Sequence, residues 1–209
     1  MRFSPYPWAA RDMIGGNPAL DFVNTASKWS SGEPVDRLEG AAGFVEWAGL
    51  AGLLDNEELA RARDAIRRDP EGAAAAYEKA HALRRALWGI FSALAAGRKV
   101  DAADLAALGE WSRRAACCSE LAPDGDKFVR RRTKDIPAIE APVLAIAEAA
   151  EGLLRHGPLG RLHACGGENC EWLFLDLSKN GRRRWCSMAT CGNEAKVKKF
   201  RSRTKTAGG

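Results

Sequence analysis

Cys165-Gly166-Gly167-Glu168-Asn169-Cys170, followed after fifteen residues by Cys186-Ser187-Met188-Ala189-Thr190-Cys191, is the stretch that decides how this chain is read. The spacing is C-x4-C-x15-C-x4-C. Two close pairs separated by a longer insert let four thiolates converge on one tetrahedral Zn2+. Gly166 and Gly167 permit the tight backbone that turns both sulfurs of the first pair inward. Two disulfides are the alternative for the same residues, but a chain without an export signal keeps its thiols reduced. Four sulfurs close the coordination shell, so a single zinc here is expected to be structural.

The flanking residues supply the rest of a small module. Arg161–Cys165 reads as a short strand leading into the first knuckle. Trp172–Asp176 and Arg182–Cys186 flank Lys179-Asn180-Gly181, and Asn-Gly between extended runs predicts a hairpin with a type I′ turn. From Thr190 the chain reads as helix, since Ala195–Phe200 contains neither Pro nor Gly. Knuckle, hairpin, then a helix whose first turn carries the fourth ligand is the layout of a treble clef. A module of roughly 45 residues cannot bury enough apolar surface alone, so the metal is expected to supply much of its folding energy. Trp172, Phe174, Trp185, Val197 and Phe200 are its expected core.

Charge separates this module from the rest. From Arg161 onward there are 11 basic and 4 acidic residues, a net +7, which leaves residues 1–160 at −2 within a total of +5. Such asymmetry points to a polyanion-facing module on a near-neutral body, with a solvated basic tail as the plain alternative. On the expected helix, Lys196, Lys199 and Arg203 share one stripe and Lys198, Arg201 and Lys205 another. Arg182, Arg183 and Arg184 add a basic ribbon. A helix suits the DNA major groove, whereas A-form RNA hides its own, so duplex DNA is the expected partner. An RNA-binding or protein-interaction module is the alternative.

Over the whole chain, 46% hydrophobic and 28% charged residues describe an ordinary globular protein. No apolar run approaches the roughly 20 residues of a spanning helix, and the start lacks a signal-peptide pattern, so no membrane and a cytoplasmic location are expected. Gly15-Gly16-Asn17-Pro18 reads as a breaker feeding a β-favouring run, Leu20–Val23. A helix follows from about Glu39, with Phe44, Trp47, Leu50 and Leu54 on one stripe. Asp55 with Glu58 predicts a capping box. The strongest helix runs from about Glu71 to Ala96, stopped by Gly97, and Asp101 caps another through Ala116. Cys117 and Cys118 read as small hydrophobes at its end. Strands near 118–121 and 128–132 flank the turn Pro123–Asp126, and a last helix spans 141–155. His156–Gly160 breaks the pattern, which divides the chain into 1–157 and 158–209. The fold class is α+β: a mostly helical N-terminal domain with a few strands, plus a treble-clef-like finger.

Chemistry of other kinds finds no support. Neither H-E-x-x-H, G-x-S-x-G nor a P-loop is present. Glu57, Glu58, Asp64 and Asp69 read as a solvated face, and no pair of groups stands out for acid–base work, so no enzymatic activity is expected.

Gly15-Gly16 with Leu20-Asp21-Phe22-Val23-Asn24-Thr25, Phe174–Ser178, Arg183–Met188 and Cys191-Gly192-Asn193 together resemble the bacterial CGNR zinc-finger family. In that family an N-terminal ABATE domain precedes the finger, and its members are regarded as stress-induced transcription regulators. The resemblance implies that Cys165, Cys170, Cys186 and Cys191 hold zinc and that the finger binds DNA, with Asn193 among the contacts. The signature ends in Arg, and this chain has Glu194 in its place. A phosphate contact by that Arg would be lost here, whereas an acid in a first helical turn suits the macrodipole. A regulator also needs a sensor. Asp21, Asn24 and Thr25, the polar residues of the matched N-terminal motif, are candidates for a small-molecule effector pocket; the alternative is that they tie down adjoining backbone. A homodimer would raise affinity for DNA.

Overall fold

The computed structural model describes residues 6–31, 34–168 and 170–206, with the side chains of 31, 199, 200 and 202–206 outside the described set. After a 3-10 turn at Ala10–Asp12, the next element is a helix, not a strand: α1 spans Pro18–Val23. Asn17 accepts the Ala19 N–H (2.9 Å) and Pro18 takes the first helical position, so Asn-Pro is here a helix start. Ala19 to Val23 are all buried. A short run buried on every side carries no periodicity to separate strand from helix, and this corrects the strand expected there.

A short ribbon pairs β1 (Ala26–Ser27) with β2 (Val35–Asp36). Four helices follow: α2 (Ala41–Leu50), α3 (Asn56–Arg68), α4 (Pro70–Ala95) and α5 (Ala102–Cys117). Asp55 and Glu58 form the expected capping box at α3, and Asp101 caps α5 through the Ala103 N–H. Gly97, at φ +64°, carries the chain out of α4. Cys117 is exposed at the end of α5, and Cys118 is half-buried.

The hairpin β3 (Ser119–Asp124) and β4 (Lys127–Arg132) turns through Gly125-Asp126, and α6 (Ala141–His156) closes the body. Helix α4 lies centrally, against α1, α2, α3 and α5. Glu58 is buried, not solvated as its sequence neighbours suggested: both of its oxygens accept from Arg132 at 2.8 Å, which ties the hairpin to α3.

The C-terminal part begins with β5 (Leu162–Ala164) and β6 (Leu173–Leu175), an antiparallel pair in which His163 faces Phe174. A π-turn, Met188–Gly192, leads into α7 (Asn193–Thr206). The hairpin expected between 172–176 and 182–186 is not formed: the partner of β6 is β5, and 182–186 is irregular. The other edge of β6 is already taken. The Leu175 N–H donates to Gly15 O (2.9 Å), and Asn24 both accepts the Leu173 N–H and donates to Leu173 O, each at 2.8 Å. Asp176 then closes the following loop, accepting from the Ser178 N–H (3.0 Å) and the Arg183 N–H (2.7 Å). Side-chain turns of this kind compete with ladder formation.

Strand alternation makes β6 a shared wall. Leu173 and Leu175, with Leu162, belong to the large core of the body. Trp172 and Phe174 belong to a second core with Cys165, Cys186 and Cys191. The period of two in a strand thus places successive residues in different cores.

Candidate metal centre and nucleic-acid interface

The four cysteines come from three places: Cys165 and Cys170 from the turn between β5 and β6, Cys186 from the loop after it, and Cys191 from the π-turn before α7. All are free thiols, and their sulfurs lie within 4.8 Å of one another. Cys170 Sγ is 3.5 Å from Cys186 Sγ, and Cys186 Sγ is 3.6 Å from Cys191 Sγ. A tetrahedron with Zn–S bonds of about 2.3 Å requires sulfurs about 3.8 Å apart, so the cluster is close to the right size for the ion. An all-sulfur donor set suits zinc among the common divalent metals. Gly167 is where the knuckle is tightest: an added Cβ would lie 3.1 Å from Cys191 Sγ.

Backbone amides support the sulfurs. Cys165 Sγ accepts from Cys186 N (3.2 Å) and Gly167 N (3.4 Å). Hydrogen bonds from Cys170, from Cys186 and from these amides hold the Cys165 thiol well below its ordinary range. The proximity of Cys165 pushes the Cys170 and Cys186 thiols up. A cation replacing those protons resolves the crowding, which is how metal affinity becomes linked to thiol ionisation.

Two matches to known families follow. The description "Putative stress-induced transcription regulator", the ABATE model, matches residues 16–157, and the CGNR zinc finger matches 161–204. The chain belongs to the ABATE family. No curated protein matches it. The four cysteines of this ABATE protein therefore form a site that could bind a metal, and they lie within the stretch that matches the CGNR zinc finger.

The basic residues divide into two groups. Arg183 turns inward: Nε donates to Trp185 O (3.0 Å), Nη2 donates to Cys186 O and Ile14 O, and the guanidinium lies 4.3 Å from the Phe174 ring centre. It clamps the finger, which corrects its place in the expected basic ribbon. Arg182 and Arg184 are exposed, the latter over the Trp185 ring. On α7, Asn193, Lys196, Lys198 and Arg201 are exposed, and Lys198 pairs with Glu168. Lys199, Arg203 and Lys205 lie on the backbone of the same helix, with side chains outside the described residues, as is that of Phe200. Val197 is 41% exposed and so does not join the finger core as expected. Glu194 stands exposed in the first turn of α7.

The polar residues of the N-terminal motif all have partners within the protein. Asp21 accepts the Gly15 N–H at 2.7 Å, and burial pushes its carboxyl up to about 6 against the pull of the Gly15 and Ile14 amides. Asn24 makes the two bonds to Leu173. Thr25 donates to Phe22 O and accepts from Arg84 Nη1, each at 2.6 Å.

Arg84 carried no signal in the helical pattern of α4, yet it is fully buried, and its guanidinium reaches Asp36 at 2.9 and 3.0 Å. Burial alone would raise the Asp36 carboxyl, but the bonds and charge of Arg84, with the Tyr77 hydroxyl, hold it below the ordinary range. A buried Arg on an Ala-rich helix, three residues from His81 and seven from Tyr77, is the sequence signal that could have located this network.

Proposed function

We propose that this protein is a zinc-dependent, DNA-binding transcription regulator of the cytoplasm, in which the CGNR finger contacts duplex DNA. The observation that carries this reading is the net +7 of the finger together with the exposure of Arg182, Arg184 and Lys196. The ABATE description and the four-sulfur site support a regulator held in shape by metal. The stress connection rests on the family description alone. Arg182, Arg184, Asn193, Lys196 and Lys198, with Lys199, Arg201 and Arg203 further along α7, supply the contacts. The chain works by binding rather than catalysis, and a homodimer would present two such fingers.

Titrating the zinc-loaded protein with a 30-base-pair duplex over a range of salt concentrations tests the interface. Affinity should fall steeply as salt rises. Changing Arg182, Arg184 and Lys196 together to Ala should weaken binding across sequences and reduce the salt slope by about 2–3. An unchanged slope would remove this surface from the reading.

Glu194 favours a second reading, because an acid at this point of α7 opposes a phosphate. In that case the finger meets a protein rather than a nucleic acid, and failure of both duplex DNA and RNA to compete for the zinc-loaded protein separates this reading from the first.

A further inference from the structure

The start of the chain and the finger enclose a cleft of about 1190 Å3. One wall carries Tyr6, Arg11 and Arg37; the other carries Trp172, Trp185 and the first turns of α7. Ligand pockets are usually about 300–1,000 Å3, so the space accommodates a small organic molecule with room for water.

The two walls differ in charge. On the body side, the Arg37 guanidinium lies over the Tyr6 ring (5.2 Å) and over the Trp172 ring (5.5 Å), and Nη2 donates to Ser27 Oγ. Arg11 is exposed and has no partner among the described residues. Asp12, the acid on that side, accepts the Ala9 N–H at 2.9 Å. On the finger side lie Glu194, the Lys198–Glu168 ion pair, whose charges cancel, and Cys170, Cys186 and Cys191. Four thiolates around a divalent cation keep a net negative charge. The cleft is therefore positive towards the body, negative towards the finger, and aromatic on both walls.

We propose that this cleft binds a small aromatic carboxylate, with the carboxylate against Arg11 and Arg37 and the ring against Trp185. Guanidinium groups match carboxylates in geometry and charge, and a planar ring packs well on indole. The negative finger wall fixes the orientation, since an anion turned the other way would face Glu194 and the thiolates. The site borders the cysteine cluster on one wall and is distinct from Asp21, Asn24 and Thr25 and from the question of what the finger's outer surface meets.

Calorimetric titration of the zinc-loaded full-length protein with indole-3-acetate tests this, with indole-3-acetamide and tryptamine as uncharged and cationic controls. Indole-3-acetate should bind saturably at one site, the amide about tenfold or more weakly, and the amine not at all. Arg11→Gln and Arg37→Gln should each lower affinity about tenfold, while Arg98→Gln, at the far end of α4, should leave it unchanged. Arg37 also contacts the fold, so Arg11→Gln is the decisive variant: Arg11 is exposed and its loss disturbs no internal partner. Absence of binding by indole-3-acetate at about 5 mM, equal binding of the acid and its amide, or full affinity in Arg11→Gln would each overturn the proposal.

Discussion

In the body, Phe22, Phe44, Trp47, Leu87 and Phe91 are fully buried, and Thr25, Asn24 and Arg84 among them are tied to one another or to backbone, while the Trp47 indole N–H is buried without a partner. In the finger, a core of a few aromatics surrounds three buried or nearly buried cysteines, and most of the charge faces outward. The first region is stabilised mainly by buried apolar area, the second by what its cysteines hold. The contrast teaches that these two regimes need no linker between them. Strand β6 serves both cores, with Leu173 and Leu175 facing one and Phe174, with Trp172 just before the strand, the other.

Removing the metal should break the comparison most violently. Structural zinc contributes on the order of 10–16 kcal/mol in small fingers, and chelation should open the core around Phe174. The body should survive. Hydrogen exchange ought to accelerate over 176–206, whereas the amides of Leu173 and Leu175, which donate to Asn24 and Gly15, keep their protection. Global loss of helical circular dichroism on chelation would show that the two cores are one cooperative unit.

Within the body the largest single effect is expected from Arg84→Ala. It leaves the Asp36 carboxylate without its main partner, and breaking a buried pair costs about 3–5 kcal/mol. Urea unfolding of the zinc-loaded protein measures it.

Asp21 sharpens the comparison through pH. Its folded carboxyl sits at about 6 against an ordinary 3.8, so the folded state binds more protons between those values. Stability contributed by this group is therefore full below about 4 and is lost as pH rises towards 6, by on the order of 3 kcal/mol. In Asp21→Asn that loss should vanish. The difference in stability between the two proteins, measured at each pH with zinc bound, should grow from pH 4 to pH 6 and then level off.

Smaller again is Asn24→Ala, which leaves the N–H and C=O of Leu173 unpaired at the junction and should cost about 1–3 kcal/mol. Faster exchange at Leu173 without faster exchange in α4 would place the damage at the shared wall.

Much of this was legible in the sequence where a local signal decides the outcome. Asp55 with Glu58, Asp101 and Gly97 mark helix ends through groups within a few residues, and the four cysteines announce their convergence by spacing. The misreadings arise where distant chain decides. Leu20–Val23 is apolar whichever structure it adopts, and only the Asn17-Pro18 cap makes it helical. Asn180-Gly181 does form a turn, with Gly181 at φ +58°, but the ladder that it would close is pre-empted because Gly15 and Asn24 occupy the edge of β6. Arg183 lies in a run of three arginines, and nothing in the run says that the middle one folds back over Phe174. Asp21, Asn24 and Thr25 stood out as a polar cluster in the N-terminal motif, and the structure shows what each does there: Asp21 and Thr25 tie down backbone within the body, and Asn24 ties the body to Leu173 of β6.

The account turns on whether the finger binds duplex DNA through its metal-held shape. Zinc-loaded full-length protein should be incubated with fragmented bacterial chromosomal DNA at near-physiological salt, and the retained fragments sequenced. The account predicts zinc-dependent retention of fragments that share a recurring site, lost on chelation and in the Arg182→Ala, Arg184→Ala, Lys196→Ala triple variant. Retention that is indifferent to zinc and to those three residues, or no retention at all, would contradict it.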